Sequence, residues 1–67
     1  MKIRLLEMRT RRGWNQRELS ERSTVPQPMI SEIETGTVPN PQINTLYKLA
    51  TALKCTVDDL IEPDVPA

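Results

Sequence analysis

The stretch Asn15 to Gly36, NQRELSERSTVPQPMISEIETG, constrains this chain more than any other feature. Asn15 has the side chain of a helix cap, an oxygen that accepts a backbone N–H of the first turn, and Glu18 three residues on can return the bond in a capping box. Leu19 then falls on the face turned to a core. Ser23-Thr24-Val25-Pro26 breaks the helical pattern, and Ile30 and Ile33, three apart and so on one face, resume it until Gly36 ends it. The spacing predicts two short helices joined by a tight turn. The second helix has one apolar face, and its other face consists of Gln27, Pro28, Ser31 and Glu32.

The flanks supply further helices. Lys2 to Arg12 places Ile3, Leu5, Leu6 and Met8 among charges, with Gly13 as a C-terminal stop and Arg11 and Arg12 in a last turn where the helix dipole favours cations. Trp14 lies between this helix and the cap at Asn15, placed to staple onto Leu19. After Gly36 comes TVPNP, whose two prolines cannot continue a helix and make a stiff surface loop. Ile43, Leu46, Leu49, Ala50 and Leu53 recur at helical spacing and give a fourth helix with one buried stripe. Thr56, with Asp59 three residues on, can cap a short fifth helix carrying Val57, Leu60 and Ile61 and stopping before Pro63. The composite is a single all-α domain over residues 1–67, five helices with no strand and a tail that frays from about residue 63.

Leu19-Ser20-Glu21-Arg22, Val25-Pro26-Gln27 and Ile30-Ser31-Glu32-Ile33-Glu34-Thr35-Gly36 together resemble the Cro/lambda-repressor-type (Xre) helix-turn-helix family, whose usual form runs L-A-E-K-x-G-V-S-x-x-x-I-S-x-x-E-x-G. Gln16 stands where that family has a Gln at the start of its second helix. The run from Pro41 to Leu53 resembles the family's fourth helix, and Thr56-Val57-Asp58-Asp59-Leu60 the opening of its fifth. The resemblance covers roughly residues 3 to 62, and the joint pattern is far more specific than any fragment of it. It implies a compact five-helix lambda-repressor-like fold in which helices two and three form a DNA-reading helix-turn-helix. It also implies an ion pair between Arg9 and Glu34, joining the first helix to the end of the third.

With the third helix in the major groove, Gln27, Pro28, Ser31 and Glu32 are the candidates to meet bases. Gln27 can donate and accept together, matching adenine N6 and N7, and ionised Glu32 only accepts, which suits cytosine N4. Pro28 offers an apolar ring to a thymine methyl, and its missing N–H costs little in a first turn. Asn15 and Gln16, at a helix N-terminus with free N–H groups, are candidates for a phosphate, a contact the resemblance also assigns to Gln16. Arg17, Thr35, Thr37 and Asn40 are further phosphate candidates. Tyr47, Val57, Ile61 and Val65 are the expected dimer surface, while Leu60 is expected in the core. Three departures from the family form bear on geometry. Thr24 replaces the usual turn Gly, so that turn takes another geometry or carries strain. Pro26 and Pro28 flank Gln27 and bear on where the third helix starts, and Lys54 stands where Gly or Asn commonly ends the fourth.

Composition narrows the function. With 67 residues the core is small. The single cysteine, Cys55, excludes an internal disulfide and reads as a small buried hydrophobe, or else as a regulatory thiol. No His is present, so an ordinary zinc site cannot be assembled, and no cofactor is expected. Glu32 and Glu34 point to different faces, and no other catalytic constellation can be composed, which argues against an enzyme. No apolar run approaches a membrane span and no signal segment leads the chain, so the expectation is a cytoplasmic protein without membrane contact. Net charge is zero, but residues 1–36 carry seven Lys and Arg against five Glu, a net of +2, and residues 37–67 a net of −2. Phosphate attraction follows the local field and not the total.

The expected function is that of a sequence-specific transcriptional regulator, most simply a repressor. It would bind double-stranded DNA at a partly palindromic operator as a homodimer, without a small-molecule effector. The alternative is the antitoxin of a toxin–antitoxin pair, covering a protein partner with its acidic C-terminal part while the third helix serves autoregulation.

Overall fold

The computed structural model describes residues 2–38 and 40–62. Five helices follow in chain order: α1 (Leu5–Arg11), α2 (Gln16–Ser23), α3 (Gln27–Thr35), α4 (Ile43–Leu53) and α5 (Val57–Leu60). Both capping boxes form. Asn15 Oδ1 accepts from Glu18 N at 2.8 Å while Asn15 N donates to Glu18 Oε1 at 3.1 Å. At α5, Thr56 Oγ1 accepts from Asp59 N at 3.2 Å and Thr56 N donates to Asp59 Oδ2 at 3.0 Å. Each box satisfies one orphan N–H of its helix and fixes the direction in which the chain enters it.

The two ends differ from the sequence expectation. The first helix begins at Leu5 and not at Lys2, because Lys2–Ile3 is a short strand, β1, paired antiparallel with β2 (Ile61–Glu62), Ile3 opposite Ile61. Ile61 accordingly leaves the fifth helix for extended backbone, φ −107 and ψ 127. Arg4 N donates to Leu60 O at 2.7 Å beside this ribbon, so backbone groups that a longer helix would have satisfied are satisfied across the molecule instead. The fold remains all-α in architecture, with a two-residue ribbon tying its ends together. Residues 63–67, where the tail was expected to fray, lie outside the described residues.

Three of the C-caps meet left-handed backbone. Gly36 has φ 83, which glycine adopts freely, but Thr24 has φ 62 and Lys54 φ 55, and both bear a Cβ. The turn between α2 and α3 therefore keeps the geometry a glycine would favour. It is closed by hydroxyls: Ser20 Oγ donates to Val25 O at 2.6 Å, and the buried Ser23 Oγ accepts from Val25 N at 3.2 Å. Pro26 caps α3 and Gln27 is its first residue, so the prolines leave its start intact, and Pro26 O accepts from both Met29 N and Ile30 N. Two arginines close other helix ends. Arg12 Nη2 donates to Leu53 O at the end of α4 (2.7 Å), and Arg4 Nη2 to Asp59 O near the end of α5 (3.0 Å).

Every helix contributes to the core, which gathers Leu5, Leu19, Val25, Ile30, Ile33, Leu49, Ala50, Leu53 and Leu60. Trp14 packs against it, half-buried, with the guanidinium of Arg22 4.5 Å from its ring centroid and that of Arg12 at 5.9 Å. Cys55 is half-buried beside the core, where burial first and the neighbouring Asp59 second push its thiol up from the ordinary value, opposed by Arg12. No described helix is long and apolar enough to cross a membrane. The packing leaves the N-termini of α2 and α3 on one side of the molecule, and the polar face of α3 unpacked.

Candidate nucleic-acid interface

Burial decides which side of α3 faces out. Ile30 and Ile33 are in the core, while Gln27, Pro28 and Glu32 are exposed and Ser31 half-exposed, as a helix with a single apolar stripe requires. Proline as the second residue of α3 sits where the first-turn N–H groups have no intrahelical acceptor, so its ring is accommodated there without losing a bond. Gln16, Gln27, Pro28 and Ser31 together line one shallow concavity of about 280 Å³. The first turn of α2 and the first turn and a half of α3 thus form one continuous surface. Glu32 is exposed but lies outside that lining, and its carboxylate bonds to no described residue, including any arginine.

At the N-terminus of α2, the capping box occupies both the Asn15 oxygen and its backbone N–H, leaving the Asn15 NH2 and the backbone N–H groups of Gln16 and Arg17 pointing outward. Arg17 is exposed and lies 3.7 Å from Glu21, a loose surface pair that leaves its guanidinium able to swing away. Thr35, the last residue of α3, shares a hydroxyl–hydroxyl bond of 3.0 Å with Thr37, and Asn40 is exposed beyond them. These three flank α3 at the opposite end from Gln27.

Arg9 and Glu34 meet in a two-pronged pair, Nε to Oε2 at 2.7 Å and Nη2 to Oε1 at 3.0 Å, with side chains 11% and 5% exposed. The bond to Glu34 is the main reason the guanidinium holds its proton still more firmly than usual, against the opposing effect of burial. Arg9 Nη1 donates to Trp14 O at 2.7 Å, which ties the same side chain to the hinge between α1 and α2. One partner escapes sequence reading. Gln16 Nε2 donates to Glu34 Oε1 at 2.9 Å, so a residue assigned to solvent-side contact also holds onto the ion pair.

None of the described residues expected at a dimer surface lines the concavity of Gln16, Gln27, Pro28 and Ser31. Tyr47 is 59% exposed and lines a second concavity of about 390 Å³ with Arg22, Ser23, Lys48, Thr51 and Ala52. Val57 and Ile61 are half-buried, Leu60 is fully buried, and Val65 lies outside the described residues. The N-terminal half offers less free positive charge than its count of cations suggests. Arg4, Arg9 and Arg12 are turned to protein acceptors, Arg11 pairs with Glu7 at 2.8 Å, and Arg22 lies over Trp14.

The sequence profile of the helix-turn-helix family matches residues 5–60, a span that runs from the first residue of α1 to the last of α5. The chain belongs to the Cro/lambda-repressor-type (Xre) helix-turn-helix family. Membership identifies residues 5–60 as a helix-turn-helix domain. A relative, the HTH-type transcriptional regulator DdrOP3 of Deinococcus deserti, is 36% identical over 59 residues, which are 88% of this chain and 45% of that protein. The chain therefore spans about half the length of the curated relative it matches. No solved structure matches the chain.

Proposed function

We propose that this helix-turn-helix protein is a sequence-specific transcriptional regulator, a repressor that binds a partly palindromic operator as a homodimer with α3 in the major groove. The observation that carries the reading is the shared surface of Gln16, Gln27, Pro28 and Ser31, which sets an anion-attracting helix N-terminus beside an outward helix of base-reading side chains. Gln27 matches adenine, Glu32 suits a cytosine amino group, and Pro28 offers contact to a thymine methyl. Asn15, Gln16 and Arg17 hold one phosphate and Thr35, Thr37 and Asn40 another, so that the backbone is gripped at both ends of α3. One α3 reads only a few base pairs, and two copies about one DNA turn apart supply useful specificity. Tyr47 and the half-buried Val57 and Ile61, with Val65, provide apolar area for that pairing.

The test is fluorescence anisotropy with the DNA immediately upstream of the chain's own gene against a scrambled duplex, over a salt series. Preference for the upstream DNA that persists as salt rises supports an operator binder. Equal binding that salt erases from both rejects sequence-specific recognition of this DNA. A second reading, the antitoxin that also covers a protein partner, is favoured by one observation: the cations of the N-terminal half are largely engaged within the protein, which leaves little free charge for phosphate. A small toxin gene beside this one, and a stable complex of the two products, would favour that reading.

A further inference from the structure

The side chain of Gln16 is held by the Arg9–Glu34 ion pair. Both oxygens of Glu34 are occupied, Oε2 by Arg9 Nε at 2.7 Å, and Oε1 jointly by Arg9 Nη2 at 3.0 Å and Gln16 Nε2 at 2.9 Å. Arg9 is itself fixed by its bond to Trp14 O, so the carboxylate has little freedom to follow Gln16 if that side chain moves. An ionised carboxylate only accepts hydrogen bonds, so the Gln16 amide can face it only with its NH2 end, its own oxygen being repelled. An exposed glutamine ordinarily leaves this choice open, and leaves its rotamers free as well.

We propose that Glu34 is a positioning residue for the DNA contact made by Gln16. Through its bond to Nε2 it holds the amide with one N–H turned to the ion pair and the second directed outward, beside the free backbone N–H groups of Gln16 and Arg17. An anion approaching α2 then meets three N–H donors already aligned, and the ordering of Gln16 is met when the chain folds and not when it binds. The Arg9–Glu34 pair thereby has a role beyond joining α1 to α3: it fixes the direction of one atom on the binding surface. The inference rests on the reading of the α2 N-terminus as a phosphate site.

Two measurements test it. In the free wild-type protein, the side-chain amide of Gln16 is followed by 15N-correlated NMR. One Nε2 proton displaced from the position it has in a solvated glutamine, and slow to exchange with water, is the expected result, and two protons at the ordinary solvated positions that exchange rapidly overturn the proposal. The second is a double-mutant cycle on binding to a generic duplex at low salt. Gln16→Ala is expected to weaken binding about tenfold in the wild-type background, as a hydrogen bond to a charged group does. The comparison background is Arg9→Met with Glu34→Leu, which exchanges the pair for apolar groups and strands neither charge. In that folded background the Gln16→Ala loss should shrink to about threefold or less, because coupled residues are non-additive. An unchanged tenfold loss would overturn the role of Glu34 while leaving DNA binding intact. A wild-type protein that binds no duplex even at low salt would instead overturn the proposed function, and the NMR signature would still decide the bond.

Discussion

Replacing Thr24 with glycine should stabilise this protein, although it deletes a side chain at the turn of its functional motif. Thr24 ends α2 at φ 62 and ψ 13, squarely in the left-handed region, and it is exposed. An L-residue in that region bears roughly 1–2 kcal/mol of steric cost from the approach of its Cβ to the following peptide. Glycine removes that cost but loses more backbone freedom on folding, which returns about 0.5–1 kcal/mol. The Thr24 hydroxyl donates to Ser23 O at 2.5 Å, a bond that water can replace at an exposed position. The bonds that close the turn belong to Ser20 and Ser23 and are untouched. The net expectation is about 0.5–1 kcal/mol of added stability, which in a domain of this size raises Tm by roughly 2–8 °C. Urea unfolding followed by circular dichroism should show a higher midpoint with an unchanged slope. Thr24→Ala is the control, since it keeps the Cβ in the left-handed region and should recover little of the gain. If Thr24→Gly falls at or below the wild type, or if Thr24→Ala gains as much, the argument from φ is wrong.

Other perturbations probe the remaining elements. Asn15→Ala removes the oxygen that caps α2 and should cost about 1 kcal/mol, read as a lower urea midpoint; no change would mean the box contributes nothing. The backbone N–H of Thr56 first, and then its hydroxyl, hold the Asp59 carboxyl below its ordinary value. The folded-state value is thus the lower one, so this contribution is present above the unfolded value and fades as pH falls through the folded one. The stability gap between wild type and Asp59→Asn should narrow between about pH 6 and about pH 3, and a constant gap would contradict it. On DNA, Gln27→Ala should relax preference at one base position, whereas Gln16→Ala should weaken binding to all sequences alike; equal losses on operator and scrambled DNA for both variants would remove α3 from the role of reader.

Local signals are legible in the sequence because local physics decides them. The bounds of α4 follow from its apolar spacing, and both capping boxes follow from a side chain and its partner three residues on. What escaped was non-local. Lys2–Ile3 is too short to carry periodicity, and its partner strand lies at the other end of the chain. Likewise, nothing in the order of residues pairs Arg12 with the carbonyl of Leu53 or Gln16 with Glu34, since those meetings exist only once the helices have packed. The charge pattern misled in the same way: seven cations in the N-terminal half suggested a positive surface, but folding turns several of them to carbonyls and carboxylates. At Thr24 and Lys54 the backbone keeps the left-handed cap geometry despite the wrong residue type, which shows the packing of the helices overriding local preference.

Backbone amide chemical shifts, recorded while the upstream duplex is titrated into the 15N-labelled protein, test the central claim most directly. The account predicts that the shifts concentrate at Gln16 and Arg17, through Gln27 to Glu32, and at Thr35 and Thr37, with α5 little affected at the same protein concentration. Shifts centred on α4 and α5, with the first turns of α2 and α3 silent, would contradict it.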